Sequence, residues 1–163
     1  IKDKYDTENM TIVSPDAGRV RVADLWADRL GTALAIIHKR RDPSVANKVK
    51  VHEVVGEVEG RTCMLVDDII DTAGTITQAA EALVDNGAAR VVAAATHPVF
   101  SGPAVDRLKN SKIEEVVVTN TLPIPPERRF DKLTVLSIAP LIARAIHEVF
   151  EDGSVTSLFD GNA

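Results

Sequence analysis

Two rhythms of apolar residues alternate along this chain. Short apolar-rich runs at 10–13, 33–37, 63–66, 91–96, 115–119 and 133–138 predict strands, most of them too continuous to be half-exposed. Between them the apolar positions fall at helical spacing. Val22, Leu25, Trp26 and Leu30 form one such stripe, and Ile76, Ala79, Ala80, Leu83 and Val84 a second. Ile142, Ala145, Ile146 and Val149 form the last. A shorter helix is predicted over 103–109, and Asn86-Gly87 is a natural helix stop. Val49 and Val51 alternate with lysines, which predicts an exposed or edge strand running to Val55, with a turn at Glu59-Gly60. The polar segments 38–47, broken by Asp42-Pro43, and 123–129 read as loops. Strands alternating with helices predict an α/β fold, a mostly parallel sheet with helices on both faces. A length of 163 residues suits a single domain over 1–163.

Composition narrows the function classes. A net charge of −5 argues against general nucleic-acid binding, which needs a basic face. The single cysteine, Cys63, lies in an apolar strand and reads as a packed core thiol. No apolar run reaches membrane-spanning length and no signal-peptide pattern is present, so a cytoplasmic protein with no membrane partner is expected. The chain opens on Ile1 without an initiator methionine, as a piece of something longer would.

The chemistry concentrates after the strand at 63–66. Asp67 and Asp68 stand at its C-terminal end, the turn Asp71-Thr72-Ala73-Gly74-Thr75 follows, and a helix starts. A turn that opens a helix after a parallel strand aims free backbone N–H groups and the positive helix end at one point, which suits a phosphate. Thr72 and Thr75 add hydroxyl donors, while Ala73 and Gly74 admit the anion to the backbone. The two carboxylates would repel a phosphate and suit sugar hydroxyls or a divalent cation. Phosphate at one end and hydroxyls at the other describe a ribose 5-phosphate. Acidic pairs and glycine turns also occur at sheet edges without any ligand, and the bare pattern leaves both readings open.

Two further segments bear on the choice. Ser14-Pro15-Asp16-Ala17-Gly18 is again a small-residue turn after a strand. Asp16 there is either a helix N-cap or a carboxylate for Mg²⁺ at the same sheet edge as Asp67. Arg19 and Arg21 read as solvent-facing charges. The basic run His38-Lys39-Arg40-Arg41 is either a solvated face or a loop that closes over transferring phosphates. His97, at a strand end, is expected to make structural hydrogen bonds.

Taken together, these segments resemble one family. The turn at 14–18, the Lys39-Arg40-Arg41 run and the string from Asp67 to Thr75 are similar to the C-terminal half of ribose-phosphate diphosphokinases. So are Ala95-Thr96-His97-Pro98, Val118-Thr119-Asn120-Thr121 and Ser154-Val155-Thr156-Ser157-Leu158-Phe159. These enzymes belong to the type I phosphoribosyltransferase superfamily. The resemblance implies Mg²⁺-dependent transfer of diphosphate from ATP to the C1 hydroxyl of ribose 5-phosphate, giving phosphoribosyl diphosphate and AMP. It assigns Lys39 and Arg41 to catalysis, and Asp71, Thr72, Ala73, Gly74 and Thr75 to the 5-phosphate. Asp67 and Asp68 fall to the ribose, and Asp16 to the metal. Ser154, Thr156 and Phe159 match an allosteric segment, and the partner implied is a homo-oligomer, in the family a hexamer built from dimers, or the missing N-terminal half.

The resemblance also implies a homologous first half that carries the adenine site and is absent from this chain. The chain alone is thus expected to bind ribose 5-phosphate but transfer diphosphate poorly. Two other readings stand beside this one. A phosphoribosyltransferase is disfavoured by the basic run and by the lack of a base-recognising hood beyond 49–55. A non-catalytic, synthetase-associated regulatory subunit is disfavoured by the retained Lys39, Arg41 and acidic string, and favoured by the absence of the first half.

Overall fold

The structure, a computed structural model, describes residues 4–41 and 50–159; the side chains of 39–41, 50–52 and 159 lie outside that description. The strands are β1 (Met10–Ser14), β2 (Ala33–Arg41), β3 (Lys50–Val55), β4 (Thr62–Ile70), β5 (Arg90–Pro98), β6 (Glu115–Thr119) and β7 (Leu133–Leu136). The helices are α1 (Val20–Leu30), α2 (Gly74–Asp85), α3 (Ala104–Lys109) and α4 (Ala139–Phe150), with short 3-10 turns at Ala17–Arg19, Pro126–Arg128 and Val155–Phe159. All seven strands form one sheet in the order β3-β2-β1-β4-β5-β6-β7. Every pairing is parallel except β2 with β3, and β3 is an edge strand, as its alternating lysines imply.

The middles of the central strands, such as Cys63 to Val66 and Val91 to Ala95, are continuously apolar because both faces are covered. Successive residues point to opposite faces, and the two cores divide accordingly. Val13, Leu65, Ala93 and Val116 pack with Ile76, Ala80 and Leu83 of α2 and Leu108 of α3. Their neighbours Ile12, Met64, Val92 and Val117 pack with Ala23 and Ala27 of α1. Cys63 is fully buried, and burial pushes its thiol up to about 11, against the opposing pull of Arg61. It is a core thiol, not a nucleophile.

Two boundaries differ from the sequence expectation. The run from His38 to Arg41 is strand, since β2 continues through it in register with β3, Lys39 opposite His52 and Arg41 opposite Lys50. Cross-strand backbone bonding here overrides a polar composition that reads locally as loop. The remainder of that expected loop, 42–47, lies outside the described residues. The acidic pair is likewise inside β4 rather than after it: Asp67 pairs with Ala95, and the ladder runs on to Ile70 and Pro98.

Gly56 ends β3 at φ +124°, and a Cβ there would lie 2.7 Å from the Leu34 carbonyl oxygen. Only glycine fits that close approach. α4 differs from the other helices in burying no residue; Ile146 is 64% and Phe150 83% exposed. Among the described residues, no helix is long and apolar enough to cross a membrane.

Candidate phosphate and sugar site

β1 is the strand from which the chain turns outward in one direction to β2, and β4 the one from which it turns in the other to β5. α1 leaves β1 toward one face and α2 leaves β4 toward the other. Between two such strands the carboxyl ends open into a crevice, the usual ligand position in open parallel sheets. The β1–β4 ladder stops at Val13 opposite Leu65, so Asp67 and Asp68 extend past it and face the turn after β1.

An open cleft of about 170 Å³ occupies this position, lined by Asp16, Asp67 and the stretch from Ile69 to Ile76. The 71–75 turn thus shares one cleft with Asp67 and Asp16. Asp68 is outside the lining. Ala73 precedes α2 at φ 60° and ψ 6°, a left-handed conformation that strains a residue bearing a Cβ by about 1–2 kcal/mol. No side chain caps α2. Its first N–H groups therefore keep their unmet donor capacity and the positive end of the helix dipole, both turned toward the cleft.

The acidic pair is bound to a cation. Arg19 Nε lies 3.2 Å from Asp67 Oδ1, and its Nη2 lies 2.8 Å from Asp68 Oδ1. Arg19 is therefore not the solvent-facing charge its sequence context implies. Burial pushes the Asp67 carboxyl up to about 6, helped by the hydrogen bond it shares with Asp68. For Asp68 burial acts upward too, but the bond with Asp67 and the Arg19 guanidinium outweigh it and hold the carboxyl below its usual range. The two carboxylates share charge unequally, with the cleft-facing one nearer to neutral.

Asp16 caps the 3-10 turn that follows β1, its Oδ1 accepting from the Gly18 N–H at 2.9 Å. That bond uses one oxygen and leaves the second available to the cleft. His97 Nδ1 lies 3.0 Å from Thr121 Oγ1, and the Thr119 and Thr121 hydroxyls donate to the Thr96 carbonyl. The histidine is thus tied into a structural network at the ends of β5 and β6. Ser154 and Thr156 are exposed and share a 2.5 Å hydroxyl bond beyond α4. The side chains of Lys39, Arg41 and Phe159 lie outside the description. Two cations at this edge, Arg19 and Arg107, escaped the sequence reading. Charge complementarity between the turn after β1 and the acidic pair was a usable signal for the first; nothing in the sequence singled out the second.

Residues 39–160 match the model of the phosphoribosyl synthetase-associated domain. The chain belongs to that family. Members of the wider group are close in sequence. A ribose-phosphate pyrophosphokinase of Streptomyces coelicolor is 69% identical over 96% of this chain and 48% of its own length. One of Mycobacterium tuberculosis is 58% identical over 100% of this chain and 50% of its own length. The chain spans about half the length of the curated relatives it matches. Among solved structures, phosphoribosylpyrophosphate synthetase from Mycobacterium smegmatis superposes with a TM-score of 0.83, at 53% identity, over 93% of this chain and 48% of that one. Orotate phosphoribosyltransferase from Aeropyrum pernix shares the fold, with a TM-score of 0.53 at 17% identity. The α/β architecture of this family member is that of the type I phosphoribosyltransferases.

Proposed function

We propose that this chain is the ribose 5-phosphate-holding half of a ribose-phosphate diphosphokinase. In the complete protein, diphosphate passes from ATP to the C1 hydroxyl of ribose 5-phosphate, giving phosphoribosyl diphosphate and AMP. The observation that carries this reading is the single cleft in which the uncapped start of α2, the Thr72–Thr75 turn and Asp67 converge at the β1–β4 crevice. The N–H groups and threonine hydroxyls suit the 5-phosphate, and the acidic pair suits the ribose hydroxyls. High identity to pyrophosphokinases over half their length supports the same assignment.

The cleft fits Mg²⁺. Among the described residues no group of three or more His, Cys, Asp or Glu forms a metal cage. Asp16 and Asp67 in the lining suit an ion that keeps most of its waters and takes one or two carboxylates plus substrate phosphates. Bound there, Mg²⁺ supplies charge neutralisation to the phosphates. The chain's own part is to fix the sugar phosphate so that its C1 hydroxyl is held for attack, a gain in orientation rather than covalent chemistry. Lys39 and Arg41 are assigned to transition-state charge on the transferring group.

Titration calorimetry with ribose 5-phosphate tests the cleft. Wild-type protein is expected to bind, and Gly74→Val to lose affinity by about a hundredfold, a branched side chain standing where the anion approaches the backbone. Unchanged affinity in Gly74→Val overturns the site. In the full-length protein, Lys39→Ala is expected to lower kcat by about a hundredfold or more with ribose 5-phosphate binding intact.

A further inference from the structure

The molecule holds an unassigned cation against the phosphate turn. Arg107 Nη1 donates to the Thr72 carbonyl oxygen at 2.9 Å. The same nitrogen lies 3.3 Å from where a Cβ on Gly74 would sit, so the guanidinium lies beside the first residue of α2. Arg107 is carried by α3, which is fixed to the main core through Ala104 and Leu108, both fully buried. Among the described residues no carboxylate pairs with it.

We propose that Arg107 is a positioning residue for the 5-phosphate, holding the turn in its anion-binding form; this rests on the diphosphokinase reading above. In a trans peptide the C=O and the following N–H point in opposite directions. Holding the Thr72 oxygen toward α3 therefore turns the Ala73 N–H away from Arg107. Ala73 sits in a left-handed conformation that a free turn would leave, and a charge-assisted bond to the preceding carbonyl opposes that relaxation. The guanidinium has five N–H donors and the Thr72 bond uses one of them. Its positive charge, uncancelled by any described carboxylate, adds to the helix dipole beside Gly74. Lysine keeps the charge but not the planar fork, so the two contributions are separable by substitution.

The test uses the full-length protein with Arg107→Ala, Arg107→Gln and Arg107→Lys. Ribose 5-phosphate affinity is measured by calorimetry, and KM and kcat by AMP release. Arg107→Ala is expected to weaken ribose 5-phosphate about tenfold, in Kd and KM alike, with KM for ATP and kcat within about twofold. Arg107→Lys should recover part of the loss, and Arg107→Gln should recover less. A tenfold loss shared equally by ATP and ribose 5-phosphate marks a general structural defect and overturns the proposal. Unchanged ribose 5-phosphate affinity in Arg107→Ala overturns it alone, leaving the diphosphokinase reading standing. Failure of the wild-type protein to bind ribose 5-phosphate overturns both. If Arg107→Ala does not fold, the Lys and Gln variants carry the same comparison.

Discussion

Two carboxylate sites lie toward opposite ends of the same sheet and are built to opposite specifications. Glu115, at the start of β6, accepts from the Tyr5 hydroxyl at 2.6 Å and the Thr134 hydroxyl at 2.6 Å, and pairs with Lys4. Arg90 Nη2 stands 3.7 Å away. Burial acts to raise its pKa, but the bonds from Lys4, Thr134 and Tyr5 win and hold it down to about 2. Asp67, near the end of β4, has one cation to share with Asp68 and sits at about 6. The first carboxylate is satisfied and holds the chain before β1 onto β6. The second has fewer partners and carries an electrostatic cost, as the ligand-holding role proposed for it requires. Strain and unmet polar capacity collect where chemistry is expected.

The comparison breaks most sharply at Glu115. Replacing it with alanine removes the acceptor for buried Tyr5 and for Thr134 and should cost about 3 kcal/mol of stability, read as a lower urea midpoint. Ribose 5-phosphate affinity should not follow. Loss of binding with no loss of stability would reverse the roles assigned to the two edges.

The reciprocal change is Asp67→Asn with Asp68→Asn. It should weaken ribose 5-phosphate by about 2 kcal/mol, the scale of a hydrogen bond to a charged group, while thermal stability at pH 7 holds or rises. A double variant that melts early yet binds normally would show the pair to be structural.

The pH dependence has opposite signs at the two edges. Asp67 binds its proton more tightly folded, at about 6, than at the ordinary carboxylate value of 3.8. Its contribution therefore lowers stability as pH rises from about 4 to about 6. Asp67→Asn lacks that penalty and should gain about 1.5 kcal/mol on wild type across the window, with the curves meeting below pH 4. Glu115 behaves inversely: its stabilisation is full above 4.5 and is lost as pH falls toward 2. Parallel unfolding curves for wild type and Asp67→Asn from pH 4 to 7 would remove the assigned Asp67 shift.

The smallest effect is expected for Tyr5→Phe. It keeps the buried ring and removes one hydroxyl from Glu115, costing about 1 kcal/mol. A cost near that of Glu115→Ala would mean that Tyr5, not Lys4 or Thr134, dominates the latch.

Much of this arrangement was legible from the chain. The mostly parallel sheet, the stop at Asn86-Gly87 and the small-residue turn that opens α2 followed from apolar spacing and from small residues at one strand end. The strand character of His38–Arg41 was not legible, because it depends on pairing with β3 rather than on local composition. Nor was the placement of Asp67 and Asp68 within β4. Carboxylates in a strand run against propensity, and only the ladder to β5 keeps them there. The Glu115 latch joins residues 110 positions apart, beyond any local pattern. Arg107 is similarly remote, 35 positions from Thr72.

The crevice between β1 and β4 also has a consequence for the order of folding. Its walls meet only when Met10 pairs with Thr62 and Val13 with Leu65, whereas β5 and β6 join residues much nearer in sequence, such as Val92 and Glu115. Pairings that close long loops are slow to form, because the entropy of closure is lost before contacts return it. A ligand seated across β1 and β4 therefore clamps one of the longest closures in the sheet. It should act on the unfolding rate more than on the folding rate, so that occupancy lengthens the life of the native state.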